Sequence, residues 1–307
     1  MSSTASYDSV LSREERATFA LRALYAGCGY SRYKMSKFEE YDLYARNKDF
    51  LVSDNIITFT DTDGRLLALK PDVTLSIVKN SRAAEGLTKV FYNENVYRVS
   101  GGTKNFREIM QVGLECIGDV GSAEISEVLS LAAESLKTLS ENYVLEVSEL
   151  DLVSALIKHF GVSRGGAAAI ISSLSKKNTD GIRAACASEA LGAEAEEAFL
   201  LLATTYGAPS AVLPKLEGLR LDEDCSAAID SLGSALSGIS GKVSIDFSVT
   251  GDFNYYNGVA FVGFIEGVPT DILRGGQYDK LVEKVIGRKS GAIGFAVYLD
   301  ELEKQRG

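Results

Sequence analysis

The chain has 307 residues, which is enough for two domains or for one large domain with an insertion. Hydrophobic residues make up 46% of it and charged residues 24%, so it can bury a sizeable core, and wholesale disorder is excluded. Its 32 Lys and Arg residues against 42 Asp and Glu residues give a net charge of −10. This acidic balance argues against a nucleic acid as partner, because phosphate binding rests on clustered Lys and Arg.

Cysteine and histidine residues are too few and too scattered for a structural zinc site. Zinc needs several Cys or His ligands at close spacing. Cys28, Cys116, Cys186 and Cys225 include no CxxC pair, and His159 is the single histidine. We therefore predict no metal, and reduced thiols in a cytoplasmic protein.

Other specialised classes are disfavoured by what the sequence does not contain. The first residues do not form a signal peptide, and no segment approaches the roughly 20 apolar residues of a membrane span, so no membrane partner is predicted. The motifs GxGxxG, GxxxxGK[ST], GxSxG and HExxH do not occur, and no cofactor is predicted.

The N-terminal part alternates between helical and strand patterns. Ser12 and Glu15 fit a capping box that opens a helix, and Gly27 is typical of its end. ITFTDTDGRLLALK predicts two strands around an Asp63-Gly64 turn.

The next segment predicts a hairpin followed by a helix and a strand. Residues 89–99 and 107–117 form the predicted hairpin, Ser122 caps a helix that runs to Leu139, and YVLEVSE is the strand.

The composition changes near Leu150. From there to Ile239 the chain is rich in Ala, Ser and Leu at helical spacing, so residues 149–240 are predicted to be a helical insertion. Strand patterns return afterwards. We predict an α+β core of residues 1–148 and 241–307, in which helices flank an antiparallel sheet.

A polar row follows one face of the predicted strand over residues 107–117. Strand periodicity places Arg107, Gln111, Gly113 and Glu115 on this face and apolar residues on the other, which we assign to the core. A polar row with a glycine gap indicates either the lining of a small-molecule pocket or an ordinary solvent-facing side of a sheet.

KPDVT places a carboxylate, Asp72, and a hydroxyl, Thr74, near a predicted helix start, where free N–H groups also gather. Capping of the helix and ligand binding are both consistent with this pattern.

Two further segments contain candidate site residues. Tyr255 and Tyr256 precede an Asn-Gly turn signal, and alternation predicts one ring in the core and the other with its hydroxyl free for a ligand. Gly275 and Gly276 precede a predicted helix, where the backbone is able to approach a ligand closely.

Together and in this order, these segments resemble the catalytic core of a class II aminoacyl-tRNA synthetase, specifically histidyl-tRNA synthetase. LALKPDVT resembles its Pro-acid-Thr segment, and FYNENVYRV through FREIMQVGLECIG resembles its second motif. NYYNG and RGGQYDKLV resemble its two histidine-specific motifs, and AIGFAVYLDEL resembles the third motif. The resemblance runs from Glu14 to Leu302.

The departures from the synthetase pattern concern ATP and tRNA. Gly251 stands where the family carries a catalytic Arg, and Glu301 stands where an Arg clamps ATP. The loop after Arg98 reads VSGGTK and is one residue shorter, the Pro expected before Pro71 is missing, and no anticodon-binding domain precedes the end at Gly307. Activation of an amino acid with ATP relies on such arginines to neutralise phosphate charge.

The same resemblance implies that the histidine pocket is kept. The positions that match ligand contacts of the synthetases are Asp72, Thr74, Arg98, Gln111, Glu115, Tyr256 and Tyr278. A retained histidine pocket without the ATP and tRNA machinery resembles the regulatory subunits of short-form ATP phosphoribosyltransferase.

That resemblance implies a non-catalytic subunit in the first step of histidine biosynthesis. It would activate the short catalytic subunit, mediate feedback inhibition by histidine, and form a homodimer within a hetero-octamer. Two alternatives remain open: a histidyl-tRNA synthetase, which would need the two missing arginines, and a freestanding histidine sensor that binds another protein.

Overall fold

The computed structural model describes residues 10–48, 51, 56–81, 86–99, 105–251 and 255–303. The strands are β1 (Ser31–Arg32), β2 (Phe38–Glu40), β3 (Thr58–Thr60), β4 (Leu66–Leu69), β5 (Thr88–Val99), β6 (Phe106–Gly118), β7 (Tyr143–Glu149), β8 (Tyr206–Gly207), β9 (Val243–Asp246), β10 (Asn257–Ile265), β11 (Leu273–Gln277) and β12 (Gly291–Tyr298). The α-helices are α1 (Arg13–Gly27), α2 (Tyr41–Ala45), α3 (Thr74–Asn80), α4 (Ser122–Leu139), α5 (Leu150–His159), α6 (Arg164–Leu174), α7 (Thr179–Ser188), α8 (Ala193–Thr204), α9 (Pro209–Leu216), α10 (Glu223–Leu236), α11 (Asp279–Ile286) and α12 (Asp300–Glu303).

Local sequence signals set several of these boundaries. The predicted capping box of α1 is confirmed, since Ser12 Oγ accepts from Glu15 N at 3.1 Å and Glu15 Oε2 accepts from Ser12 N at 2.8 Å. The N-cap of α4 is Gly121 rather than the predicted Ser122, because the Glu124 carboxylate accepts from Gly121 N at 2.9 Å. The predicted β5–β6 hairpin and the strand β7 are also confirmed.

The large sheet has nine strands in the order β1-β5-β6-β12-β11-β10-β7-β9-β8. Most neighbours are antiparallel, but β1 runs parallel to β5 and β7 runs parallel to β9. The predicted antiparallel sheet is therefore corrected to a mixed one. Parallel neighbours need long crossover connections, and the helices α5–α10 lie between β7 and β9 in the chain.

One face of the large sheet packs on α1 and α4 and forms the main core. Tyr25 of α1 is fully buried there, its hydroxyl lies 2.9 Å from Ser135 Oγ, and its ring contacts Phe91 and Phe295. The predicted apolar face of β6 belongs to this core, as the buried Leu114 shows. Because side chains alternate along a strand, burial of these residues places their neighbours in the strand on the opposite face of the sheet.

The opposite face of the sheet is covered only in part. The helices α3 and α11, together with the small sheet β2-β4-β3, pack over it and form a second apolar cluster. Its members include Tyr92 of β5 and Ile109 and Ile117 of β6. The middle of this face stays open, and the candidate site lies there.

Residues 150–236 form six α-helices, one 3₁₀ helix over Glu217–Leu219 and the two-residue strand β8. This segment is tied to the rest of the chain, because β8 pairs with β9 and Lys177 Nζ lies 2.5 Å from Asp246 Oδ2. The division into a core of residues 1–148 and 241–307 and an insertion of residues 149–240 stays a prediction. Among the described residues, no helix has both the length and the apolar character needed to cross a bilayer.

Candidate functional site

A groove of about 490 Å³ runs across the open face of the large sheet. The seven residues predicted to contact histidine all line it: Asp72, Thr74, Arg98, Gln111, Glu115, Tyr256 and Tyr278. Gln111 is 3% exposed and Glu115 is 2% exposed. The solvent-facing interpretation of the polar row on β6 is therefore wrong at these two positions.

Glu115 lies near the middle of the groove and is held from two sides. Thr74, the first residue of α3, donates its hydroxyl to Glu115 Oε1 at 2.7 Å. Tyr278, which precedes α11, donates its hydroxyl to Glu115 Oε2 at 2.5 Å. The carboxyl group thus connects a central strand with the starts of both covering helices.

A glycine on the neighbouring strand makes room for this carboxyl group. Gly294 of β12 is the direct partner of Glu115 in the β6–β12 ladder. A Cβ atom on Gly294 would lie 1.8 Å from Glu115 Oε2 and 2.5 Å from the Leu114 carbonyl oxygen. The Glu115 side chain therefore lies across β12 only because position 294 has no side chain.

An acidic and a basic residue, Asp72 and Arg98, line the groove together with Glu115. Asp72 Oδ1 accepts from Leu75 N at 2.8 Å, so this residue caps α3 and lines the groove at the same time. Arg98 Nε donates to the Pro71 carbonyl at 3.0 Å, which fixes the guanidinium group next to Asp72. Both interpretations of KPDVT, capping and a place in the site, fit this geometry.

Burial changes the acidity of both carboxyl groups. It raises the pKa of Glu115 from its ordinary value of 4.5 to about 8; the Asp72 charge raises it further, whereas the hydrogen bonds from Thr74 and Tyr278 lower it. Burial also raises the pKa of Asp72, against the Leu75 N–H and the Arg98 charge. Burial therefore favours the protonated form of Glu115, whereas a cation bound beside it would favour the ionised form.

The tyrosine pair departs from the predicted alternation. Tyr255 and Tyr256 both line the groove, with ring centroids 4.6 Å apart, because they precede β10 instead of belonging to it. The turn is fixed by Asn257, which donates to Asp279 Oδ2 at 3.0 Å and accepts from Asp279 N at 2.9 Å. Gly276 lies against the Tyr256 ring, where a Cβ atom would come within 2.6 Å of it.

The remaining candidate residues are placed as follows. Gly275 lines the groove, whereas Arg107 points to its own partner, Asp300, at 3.0 Å. Gly251 also lines the groove with φ +55°, and Glu301 accepts from the Thr270 hydroxyl at 3.4 Å. The shortened loop after Arg98 lies, apart from Val99, outside the described residues.

Sequence reasoning missed several polar residues of the groove: Tyr92, Glu146, Ser248, Thr250, Arg274 and Tyr298. The signal for two of them is the strand register, since Tyr92 pairs with Gly113 and Tyr298 pairs with Gln111. In the described part of the chain, no three His, Cys, Asp or Glu side chains are grouped so that they could hold a metal ion.

Comparisons with known proteins identify relatives of this chain. Residues 8–302 match the family model described as histidyl-tRNA synthetase. The chain is 27% identical over 289 residues to an ATP phosphoribosyltransferase regulatory subunit of Acetivibrio thermocellus, covering 90% of this chain and 68% of the relative. It is 28% identical over 291 residues to the protein of the same name from Caldanaerobacter subterraneus subsp. tengcongensis (92% and 75% covered). It is 24% identical over 291 residues to a histidine–tRNA ligase of Methanococcus vannielii (92% and 69% covered).

Two solved structures share the fold. An ATP phosphoribosyltransferase regulatory subunit/histidyl-tRNA synthetase from Bacillus halodurans has a TM-score of 0.83 at 24% identity, with 96% of this chain and 79% of that chain covered. A chain of the ATP phosphoribosyl transferase (HisG:HisZ) complex from Thermotoga maritima has a TM-score of 0.73 at 18% identity, with 93% and 97% covered.

We expect Gly294→Ala to destabilise the protein through Glu115. Overpacking of this kind commonly costs about 1–3 kcal/mol, and the cost should be smaller in a Glu115→Ala background, where the carboxylate is gone and only the contact with the Leu114 carbonyl oxygen remains. Urea unfolding of the two single variants and the double variant measures the coupling. Gly233→Ala in α10 is the control, because no heavy atom lies within 4 Å of the Cβ position there. Equal costs in both backgrounds would contradict the positioning role of Gly294.

The free energy of unfolding should fall as the pH rises from about 5 to 8. A carboxyl group whose pKa is higher in the folded than in the unfolded chain stabilises the fold below its unfolded value, and this contribution is lost as the pH approaches the folded value. Glu115 and the buried Glu149 both have pKa values raised from 4.5 to about 8. Each therefore contributes a slope of up to about 1.4 kcal/mol per pH unit.

Chemical unfolding at several pH values in this window tests the slope. Glu115→Gln should reduce the slope, and Glu149→Gln, which replaces the other buried glutamate, is the matched comparison that should reduce it by a similar amount. A slope unchanged by Glu115→Gln would contradict the assignment.

Proposed function

The chain belongs to the histidyl-tRNA synthetase family, and from this premise we propose that it is a non-catalytic regulatory subunit of ATP phosphoribosyltransferase. The proposal is supported by the relatives that carry this name and match about nine-tenths of the chain. In this role it activates a short catalytic subunit in the first step of histidine biosynthesis and mediates feedback inhibition by histidine.

The observation that carries the proposal is the buried Glu115 in a groove that also holds Arg98. Histidine bears an ammonium group, an imidazole and a carboxylate. Glu115 and Asp72 offer acceptors for the cationic and N–H groups, and Arg98 offers a guanidinium for the carboxylate. Gln111 is buried in the groove and its amide makes no hydrogen bond to another described residue, so both its amide N–H and C=O can serve the ligand.

Tyr278 and Tyr256 have different parts in this arrangement. The Tyr278 hydroxyl already donates to Glu115, so it positions the carboxyl group and still accepts one hydrogen bond from a ligand. Tyr256 lies on Gly276 and adds an aromatic wall to the groove.

Two positions where the synthetases carry arginines support a non-catalytic role. Position 251 has φ +55°, and a Cβ atom there would approach Tyr256 at 3.0 Å, so an arginine at this place would be strained. The carboxylate of Glu301 repels phosphate where synthetases carry an Arg. Neither position supplies the positive charge that ATP activation requires.

The partner we propose is the short-form catalytic subunit, with this chain as a homodimer within a hetero-octamer. The names of the relatives imply a second subunit, and the Thermotoga maritima structure with the same fold is described as a complex. Closed symmetric assemblies are the usual form of soluble oligomers.

Reconstitution with the catalytic subunit tests the regulatory role. We expect a discrete complex by light scattering at micromolar concentration, and inhibition of its activity by histidine. Glu115→Ala should weaken histidine binding by more than tenfold, because loss of one partner of a buried charged pair commonly costs about 2–5 kcal/mol. Assembly should be preserved, and Glu283→Ala, exposed on α11, should leave the titration unchanged.

The outcomes separate the alternatives. Two unassociated species would favour a freestanding histidine sensor. Unchanged histidine affinity in Glu115→Ala, with inhibition intact, would place the effector site outside this groove.

The synthetase alternative has its own test. Without the two arginines, the chain should show no histidine- and ATP-dependent pyrophosphate exchange, measured alongside an active histidyl-tRNA synthetase as positive control. Exchange above background that depends on histidine would contradict the non-catalytic role.

A further inference from the structure

The groove continues past the histidine pocket to a second charged end. Glu146 of β7 pairs directly with Val262 of β10, and Val262 pairs directly with Arg274 of β11. All three residues line the groove. Neighbouring strands lie about 4.8 Å apart, so the Glu146 and Arg274 backbones are about 10 Å apart with an apolar residue between them. Glu115 lies two strands beyond Arg274, on β6.

Glu146 is a carboxylate without a protein partner in the described part of the chain. It makes no hydrogen bond or ion pair there, although it is only partly exposed. Lys177, whose charge acts on Glu146, is paired with Asp246 at 2.5 Å instead. Burial and the Asp246 charge raise the pKa of Glu146, against the Lys177 charge. Half-buried charges are normally neutralised by a partner. For Glu146, such a partner can approach through the groove.

Arg274 faces the same space from the other side. Its Nε and Nη2 atoms both bond the Asp271 carboxylate, the second at 2.8 Å, which fixes the plane of the guanidinium group. Nη1 makes no hydrogen bond to a described residue, so the fork still has donors for an anion. The Arg274 side chain is more than half exposed, which places it at the mouth of the groove.

The surface between the two charges is apolar and bordered by hydroxyl groups. Val262, Phe264 and Ala296 line this part of the groove, with Ser248 and Thr250 also among the lining residues. A carboxylate and a guanidinium on either side of an apolar floor match a molecule that carries an ammonium group, a carboxylate and an apolar side chain. The groove volume of about 490 Å³ is in the range that holds a drug-sized ligand. It is larger than the volume that a single histidine occupies.

We propose that this end of the groove is a second subsite, which binds a zwitterionic α-amino acid with an apolar side chain. Its ammonium group binds Glu146, its carboxylate binds Arg274, and its side chain packs on Val262 and Phe264. The proposal goes beyond the proposed function, because the ligand is not histidine and Glu115 takes no part in binding it.

Calorimetric titration of L-leucine into the full chain saturated with L-histidine tests the proposal. We expect saturable binding that Glu146→Gln and Arg274→Gln each weaken at least tenfold, while histidine affinity changes less than twofold. Leucinamide, which lacks the carboxylate, and 4-methylpentanoate, which lacks the ammonium group, should each lose binding. Glu283→Gln is the matched surface control, and thermal melts establish that each variant is folded.

The results distinguish this proposal from the proposed function. Leucine binding that is undetectable at millimolar concentration, or unchanged in Glu146→Gln, would overturn the second subsite while histidine binding stands. If the unmodified chain does not bind histidine, the result counts against the proposed function alone, because leucine binding and its dependence on Glu146 can still be measured. If histidine itself displaces leucine in a manner that Glu115→Ala abolishes, the two ligands share one site and the second subsite is overturned.

Discussion

The carboxyl group of Glu115 is the point on which the open face of the sheet depends. It is buried on β6, it accepts the hydroxyls that begin α3 and precede α11, and it lies across a glycine of β12. Four elements from distant parts of the chain thus meet at one titratable group. A buried acid costs free energy unless it is bonded or protonated, and the structure supplies both, two hydrogen bonds and a pKa near neutrality.

Much of the fold follows from local sequence signals. The capping box of α1, the turn at Gly64 and the alternation in β5, β6 and β7 each involve residues close together in the chain, so the sequence states them directly. The Gln111–Glu115 row was identified on the correct face because the period of a strand is two. Periodicity does not show whether that face lines a pocket or faces solvent. The motif resemblance indicated the pocket.

The errors have a common origin in contacts between distant segments. Tyr92 and Tyr298 line the groove because of the residues with which they pair on β6. The sequence of β5 or of β12 alone does not show that pairing register. Alternation failed at Tyr255 and Tyr256 because a strand begins at Asn257, after them. The parallel pairing of β7 with β9 likewise depends on a crossover through six helices, which local pattern cannot orient.

The place of β12 in the sheet bears on the order of events during synthesis. This strand is formed by Gly291–Tyr298, near the end of the chain, yet it lies between β6 and β11 in the middle of the sheet. Until residues 291–298 have left the ribosome, β6 and β11 have no common neighbour. Such non-local pairing is slow, and unpaired strand edges attract other chains. Until β12 has paired with both strands, the large sheet has two unpaired edges at its middle, and this is the stage at which binding by a chaperone would protect the chain most.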